Sequence, residues 1–232
     1  VNKLLTSKVG IVMPTYNVGI TINKLIPSIE YITELRNIAT WLINFNGDQW
    51  TARWIDKAVT RIGSFGFSVR FIRSGVWEKP INIIKMREQC ARLYNDCDIY
   101  LFIDDDFEFV KETPAYKFTS GQRYLHTIDY MTRFKKCGVV NTKSFLGGSP
   151  FRLKIVPTRD GMYATNRGLF LRNMNKHGFL LAPSKTHHLV CGLEETMMVF
   201  ERIRRGYFCA CQYNNPTIHI TGKLEDYDDK HD

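Results

Sequence analysis

Over its first 110 residues the chain alternates between continuous apolar runs and segments whose apolar positions recur every three or four residues. Lys8–Met13 is apolar after its lysine and is stopped by Pro14, which reads as a buried central strand. Over 21–36 the positions Ile22, Leu25, Ile26, Ile29, Ile32 and Leu35 keep a helical spacing. A second strand is expected over 39–45, closing on the turn-prone Asn46-Gly47-Asp48. A helix over 51–62, a strand over 68–73 and a helix over 81–96 repeat the unit. Ile99-Tyr100-Leu101-Phe102-Ile103 is a fourth buried strand, and it runs directly into Asp104, Asp105 and Asp106. Buried strands alternating with helices predict an α/β domain with a mostly parallel sheet. Ligands of such sheets bind at the carboxyl ends of the strands. Asn17, Asn46 and the three aspartates all fall at such ends.

The second half is less regular. Residues 120–135 predict a helix, 138–142 a strand, 147–150 a loop and 168–172 a further strand. Glu194 to Arg205 reads as a helix ended by Gly206, with basic residues in its last turn where the helix dipole favours them. Short strands are expected over 207–212 and 217–220, and the acidic tail over 225–232 is expected to be flexible.

A length of 232 residues with 44% hydrophobic content suits one globular domain. No apolar run approaches the ~20 residues needed to span a bilayer, and the first six residues do not form a secretory signal. The six cysteines, at 90, 97, 137, 191, 209 and 211, lack the paired Cys-x-x-Cys spacing of a zinc site. They read as buried thiols of a cytoplasmic protein. The net charge of +9 understates the basicity of the body. Residues 225–232 hold five acids and one lysine, which leaves 31 basic and 18 acidic residues, or +13, over 1–224. Such a surplus fits a polyanionic partner, and equally a cationic nucleotide pocket.

Three adjacent carboxylates at the end of a buried strand repel one another, and a hard divalent cation relieves the conflict. Mg2+ or Mn2+ keeps coordination positions open for a diphosphate, so such a site can hold a nucleotide and neutralise a leaving group. The plainer alternative is a solvated acidic turn.

Several segments resemble glycosyltransferases of the family-2 type, which have the GT-A fold. Val9-Gly10-Ile11-Val12-Met13-Pro14-Thr15-Tyr16-Asn17 looks like their opening strand, and Leu101-Phe102-Ile103-Asp104-Asp105-Asp106 like their D-x-D strand. Arg87 lies 17 residues before Asp104, near the place of the family's helix arginine. Gly168 to Arg172, Gly192-Leu193-Glu194-Glu195 and the segment from Arg202 to Tyr207 are similar to the acceptor-side strand, the Glu-Asp motif and the helix behind it. The resemblance covers about 9–220.

It implies a single GT-A (Rossmann-like) domain over 1–224, a mixed and mostly parallel sheet flanked by helices. About 1–110 is the nucleotide-sugar half and about 111–224 the acceptor half. It further implies that Pro14, Thr15, Tyr16 and Asn17 line the base and ribose, with Asn46 or Asp48 reading the base. Lys85 and Arg87 would steady the diphosphate of a nucleotide-sugar donor, expected to be UDP-linked. Asp104 would face the donor with Asp105 beside it. Asp104, Asp106 and His219 would hold Mn2+ or Mg2+. Glu195, or else Glu194, would serve as the base of an inverting transfer. Two departures stand out: Asn46 replaces the family's usual aspartate, and Glu194-Glu195 replaces Glu-Asp.

The basic body, with aromatics interleaved among cations such as Arg123, Arg133, Lys135, Lys136 and Arg172, suggests double-stranded DNA as acceptor. The specific expectation is a bacteriophage enzyme that glycosylates 5-hydroxymethylpyrimidine, reached by base flipping. Saccharide, lipid or protein acceptors are the alternative. From other classes, a sugar nucleotidyltransferase and a non-catalytic nucleic-acid-binding protein stay open. The first normally has a glycine-rich loop after its first strand, where this chain has Pro14-Thr15-Tyr16-Asn17. The second gives no reason for clustered aspartates.

Overall fold

A run of Val, Ile and Met with neighbours on both sides has no polar face, and β1, Val9–Thr15, is accordingly buried at every position. The computed structural model describes residues 7–15, 21–46, 49–73, 83–105, 107–111, 118–143, 166–173, 202–212 and 217–219. After β1 come α1 (Thr21–Ser28), a 3-10 helix (Ile29–Leu35), β2 (Ala39–Phe45), α2 (Gln49–Ser64), β3 (Ser68–Arg73) and α3 (Ile83–Leu93). β4 (Ile99–Phe102), β5 (Phe107–Phe109), α4 (Ser120–Arg133), β6 (Cys137–Lys143), β7 (Asn166–Arg172), β8 (Phe208–Gln212) and β9 (Thr217–His219) follow. One helical turn at 202–204 is described ahead of β8.

Seven strands form one sheet in the order β3-β2-β1-β4-β7-β6-β8. Four of its six pairings are parallel, and β7 runs antiparallel to both its neighbours. β5 and β9 pair separately. Because side chains alternate along a strand, β1 feeds two cores. Val9, Ile11 and Met13 join Trp41, Leu101 and the apolar faces of the 3-10 helix and α4. Val12 joins Leu42, Tyr100, Phe102 and the Cys90-Ala91 face of α3. Each large side chain buried in this way contributes ~1.5–3 kcal/mol.

Two expectations need correction. Pro14 does not stop the first strand but lies inside β1, opposite Asn44 of β2. The pairing with β4 ends at Val12, so the missing N–H falls where β1 has a ladder on one side only. The single helix expected over 21–36 is two, because Pro27 stands near the end of α1 and the chain continues as a 3-10 helix. There Ser28 Oγ donates to the Leu25 carbonyl at 2.7 Å and accepts from Phe109 N at 3.0 Å. β5 was not anticipated, since three residues carry no readable periodicity. The loop expected over 147–150, the tail over 225–232 and most of the helix expected from Glu194 lie outside the described residues.

α4 begins on a capping box: Thr119 Oγ1 accepts from Gln122 N at 3.1 Å, and Gln122 Oε1 accepts from Thr119 N at 3.0 Å. Its first turn lies against the 3-10 helix at Gly121, where a Cβ would stand 2.9 Å from Ile32 Cα. Only glycine permits that approach. Cys90, Cys97, Cys137 and Cys209 are free thiols, the first three buried. Among the described residues no helix is long and apolar enough to cross a membrane.

Candidate active site

The carboxyl ends of β1, β2 and β4 meet at one edge, and backbone bonds fix their relative heights. Asn46 N donates to the Thr15 carbonyl at 2.9 Å, and Ile103 N donates to the Val12 carbonyl at 3.0 Å. Thr15 and Asn46 are both buried. Thr15 Oγ1 is enclosed without a hydrogen-bond partner. One residue beyond the Ile103 tie the chain presents Asp104, half-buried, and then Asp105.

Asp104 is held from below. Arg87 is 2% exposed, and its Nη2 donates to Asp104 Oδ1 at 3.0 Å. The guanidinium also lies over the Phe102 ring, 5.6 Å from the centroid. This contact orients the Asp104 carboxylate at the mouth of the sheet. Arg87 takes its place because α3 is pinned to β2: Asn44 Nδ2 donates to the Met86 carbonyl at 2.9 Å and to Gln89 Oε1 at 3.0 Å. Asn44 and Gln89 are therefore positioning residues that the sequence reading missed. A signal was available, since Asn44 is a lone amide within the otherwise apolar strand over 41–45.

Other expected residues are placed by the backbone. β5 pairs antiparallel with β9, and His219 stands opposite Phe107, the residue after Asp106. Two parts of the chain more than 110 residues apart in sequence thus meet beside the aspartates. Lys85 lies in α3, and Pro14 and Thr15 end β1. Tyr16, Asn17, Asp48, Asp106, Glu194 and Glu195 lie outside the described residues, as do the side chains of Lys85 and His219.

For a divalent metal the donor set is chemically suitable: carboxylates at a strand end, one already oriented by Arg87. Among the described residues, no group of three potential metal ligands comes together. Of the expected ligands Asp104, Asp106 and His219, the described residues include Asp104 and the backbone of His219.

The cations read as a DNA-facing surface are distributed differently. Arg172 is half-buried and serves the fold. Its Nε donates to the Cys137 carbonyl at 2.9 Å, and its Nη2 donates to the carbonyls of Phe134, at 3.3 Å, and Met131. Arg133 pairs with Asp129 at 2.7 Å, and Lys135 and Lys136 follow α4 at the opposite edge of the sheet from Asp104.

No protein-family model and no curated protein matches this chain. Solved structures do. A mannosyltransferase from Pyrobaculum calidifontis, described in complex with GDP-Man and Mn2+, is similar with a TM-score of 0.65 at 10% identity, covering 94% of this chain and 58% of that one. Residues 1–349 of S. aureus TarS, in complex with UDP-GlcNAc, match with a TM-score of 0.56 at 12% identity over 94% of this chain and 60% of that one. This chain thus spans about three-fifths of the length of either. The 4-diphosphocytidyl-2C-methyl-D-erythritol synthase of Anaerococcus prevotii matches with a TM-score of 0.54 at 13% identity, over 95% of this chain and 94% of that one. These likenesses establish the fold: a GT-A, Rossmann-like α/β architecture with a mixed, mostly parallel sheet flanked by helices.

Proposed function

We propose that the chain is a family-2-like glycosyltransferase that moves a sugar from a nucleoside-diphosphate donor to a hydroxyl acceptor with the help of Mn2+ or Mg2+. The observation that carries this reading is Asp104, presented at the edge where β1, β2 and β4 end and locked there by the buried Arg87. GT-A neighbours described with GDP-Man and Mn2+, or with UDP-GlcNAc, support the donor class and the metal. In this reading about 1–110 holds the donor and about 111–224 the acceptor.

The roles divide by chemistry. Pro14 to Asn17 and Asn46 or Asp48 contact the base and ribose, and an amide at Asn46 can both donate to and accept from a uracil edge. Asp104 and Asp106, with His219 as third ligand, hold the metal, which when bound supplies positive charge to the departing diphosphate. Asp105 and Lys85 border the donor. Arg87 fixes the geometry of Asp104 rather than lying free for the diphosphate. Glu195, with Glu194 as second candidate, takes the acceptor proton in an inverting displacement. The test is a thermal-shift screen of UDP- and GDP-sugars with and without Mn2+, followed by assay of nucleoside-diphosphate release. Stabilisation by one donor only with metal, abolished in Asp106→Ala, is expected; indifference to every donor would remove the reading.

For the acceptor, the charge of +13 over 1–224 supports hydroxymethylpyrimidine DNA, and hence a phage-encoded enzyme in a host cytoplasm. Transfer of labelled sugar to such DNA, against unmodified DNA and simple saccharides, decides it. A second reading rests on one observation, the synthase that matches this chain over nearly its whole length. A nucleotidyltransferase would release pyrophosphate from a nucleoside triphosphate and a sugar phosphate, which the same assay distinguishes.

A further inference from the structure

The amino ends of the strands form the edge away from Asp104, and a second concentration of chemistry lies there. A cavity of about 320 Å³ opens at the starts of β1, β2 and β3, lined by Lys8, Arg36, Arg70 and Asp96 among others. Asp96 lies 4.0 Å from Lys8 Nζ and 3.7 Å from Arg70 Nη1. Asp96 is shared by two cations, Asp98 accepts from Lys8 N at 3.0 Å beside it, and Arg36 adds a third positive charge, so three cations face two carboxylates here.

β6 and β8 begin on this same edge, because β4 is parallel to β1 and the chain direction reverses at β7 and again at β6. The turn from α4 into β6 exposes Phe134, Lys135 and Lys136. Tyr130 and Phe134 place their rings 4.6 Å apart. Phe208 N donates to the Lys136 carbonyl at 2.9 Å, which brings exposed Phe208 beside that turn, with Ile203 and Arg205 just upstream in the chain. The two regions are joined: Ser7, which lines the cavity, has its Oγ 2.9 Å from Oγ1 of Thr132, in the last turn of α4. With strands ~4.8 Å apart, the edge from β3 to β8 is about 29 Å long.

Single exposed apolar residues are ordinary. Here four large ones, Tyr130, Phe134, Ile203 and Phe208, are 38–51% exposed and lie at the end of α4, in the turn after it and in the segment leading into β8, with Lys135, Lys136 and Arg205 nearby in the chain. A nucleic-acid backbone rewards the cations but not Ile203 or Phe134. A second copy of the chain would bring like charges together. An anionic bilayer rewards both, since basic side chains meet lipid phosphates while aromatic and aliphatic tips enter the interface.

We propose that this amino edge docks the chain on an anionic phospholipid surface, with the cluster around Phe134 in the interface and Lys8, Arg36 and Arg70 against lipid phosphates. The proposal is independent of the catalytic reading. It leaves the Asp104 edge about 23 Å from the bilayer, the rise of seven strand residues, facing the aqueous side.

Sedimentation of the full chain with phosphatidylcholine vesicles, with and without phosphatidylserine, tests it. Binding only to the phosphatidylserine vesicles, weakening as salt rises, is expected. Each lysine near such a surface is worth about fivefold, so Lys135→Ala/Lys136→Ala lowers the partition coefficient about 25-fold. Phe134→Ser/Ile203→Ser lowers it at least about tenfold while the salt dependence persists. All four positions are exposed, so unchanged thermal unfolding is expected in both variants. Absence of binding, equal binding to neutral vesicles, or full binding by both variants overturns the proposal. So does duplex DNA binding that the lysine variant abolishes and phosphatidylserine vesicles do not compete, which would make the edge a nucleic-acid surface.

Discussion

Arg87 and Asp104 form a salt bridge of 3.0 Å in which the arginine side chain is 3% exposed and the aspartate 23%. An ion pair so placed does more for position than for stability while both partners are present, but it leaves a buried charge when one is removed. Arg87→Ala is therefore expected to lower unfolding free energy by about 3 kcal/mol, the low end for broken buried pairs because Asp104 is partly wet. Urea denaturation measures this. Arg87→Lys keeps the charge without the planar fork, so it should retain more stability and still lose donor-dependent thermal stabilisation. A fully active, fully stable Arg87→Ala protein would remove Arg87 from the site.

The contact between α4 and the 3-10 helix depends on Gly121. A methyl there meets Glu34 Oε2 and stands 2.9 Å from Ile32 Cα; the carboxylate can move at the cost of its bond from Thr119 Oγ1, the backbone cannot. Gly121→Ala is expected to cost about 1–3 kcal/mol. At Gly63, within α2, a methyl would meet nothing within 4 Å, so Gly63→Ala should stabilise by about 0.5 kcal/mol through helix propensity. Paired urea titrations compare the two, and equal effects would contradict the packing described.

Arg172 separates structural from surface charge. Its donors satisfy carbonyls at and beyond the end of α4, and burial pushes its pKa down. Arg172→Gln should destabilise by about 1–3 kcal/mol, as expected when buried acceptors lose their partner. The salt dependence of polyanion binding should stay unchanged, because each surface phosphate contact, and not a buried cation, sets that slope. A flatter slope in this variant would return Arg172 to the binding surface.

Burial pushes the Cys90 thiol up to about 12 and the Cys97 and Cys137 thiols up to about 11. At Cys97 the Asp96 carboxylate adds to the effect, and at Cys137 Arg172 opposes it. In the unfolded chain these thiols ionise near the ordinary ~8.5. Above that value the native state holds more protons than the unfolded state, so stability declines with rising pH. The contribution is complete below about pH 8.5 and is lost as pH rises through the native values of about 11–12. Unfolding midpoints should be level up to about pH 8.5 and fall beyond it. Brief iodoacetamide treatment at neutral pH, mapped by mass spectrometry, should leave all three unmodified in the native protein and modify them in urea.

The amino-acid sequence by itself determined the α/β class, the first four strands and the place of Asp104 and Asp105 after the fourth. Continuous apolar runs such as those ending at Met13 and Ile103 bury both faces and admit one environment. The resemblance carried by the Val9 and Leu101 segments implied the GT-A fold that the solved structures then bore out. Short elements escaped, as at β5, because three residues hold no period. The break after Pro27 was missed for another reason: the apolar spacing of a 3-10 turn and of an α-helix agree over so few residues. Partnership was the property reserved to the tertiary structure. Arg87 and Arg172 are both arginines in mixed segments, and nothing local says that one will be buried under Asp104 while the other closes the end of α4. Nor does spacing reveal that His219 pairs opposite Phe107, or that Ser7 meets Thr132 and makes one edge of two basic clusters. These contacts join residues far apart in the chain, and sheet order and strand direction decide them.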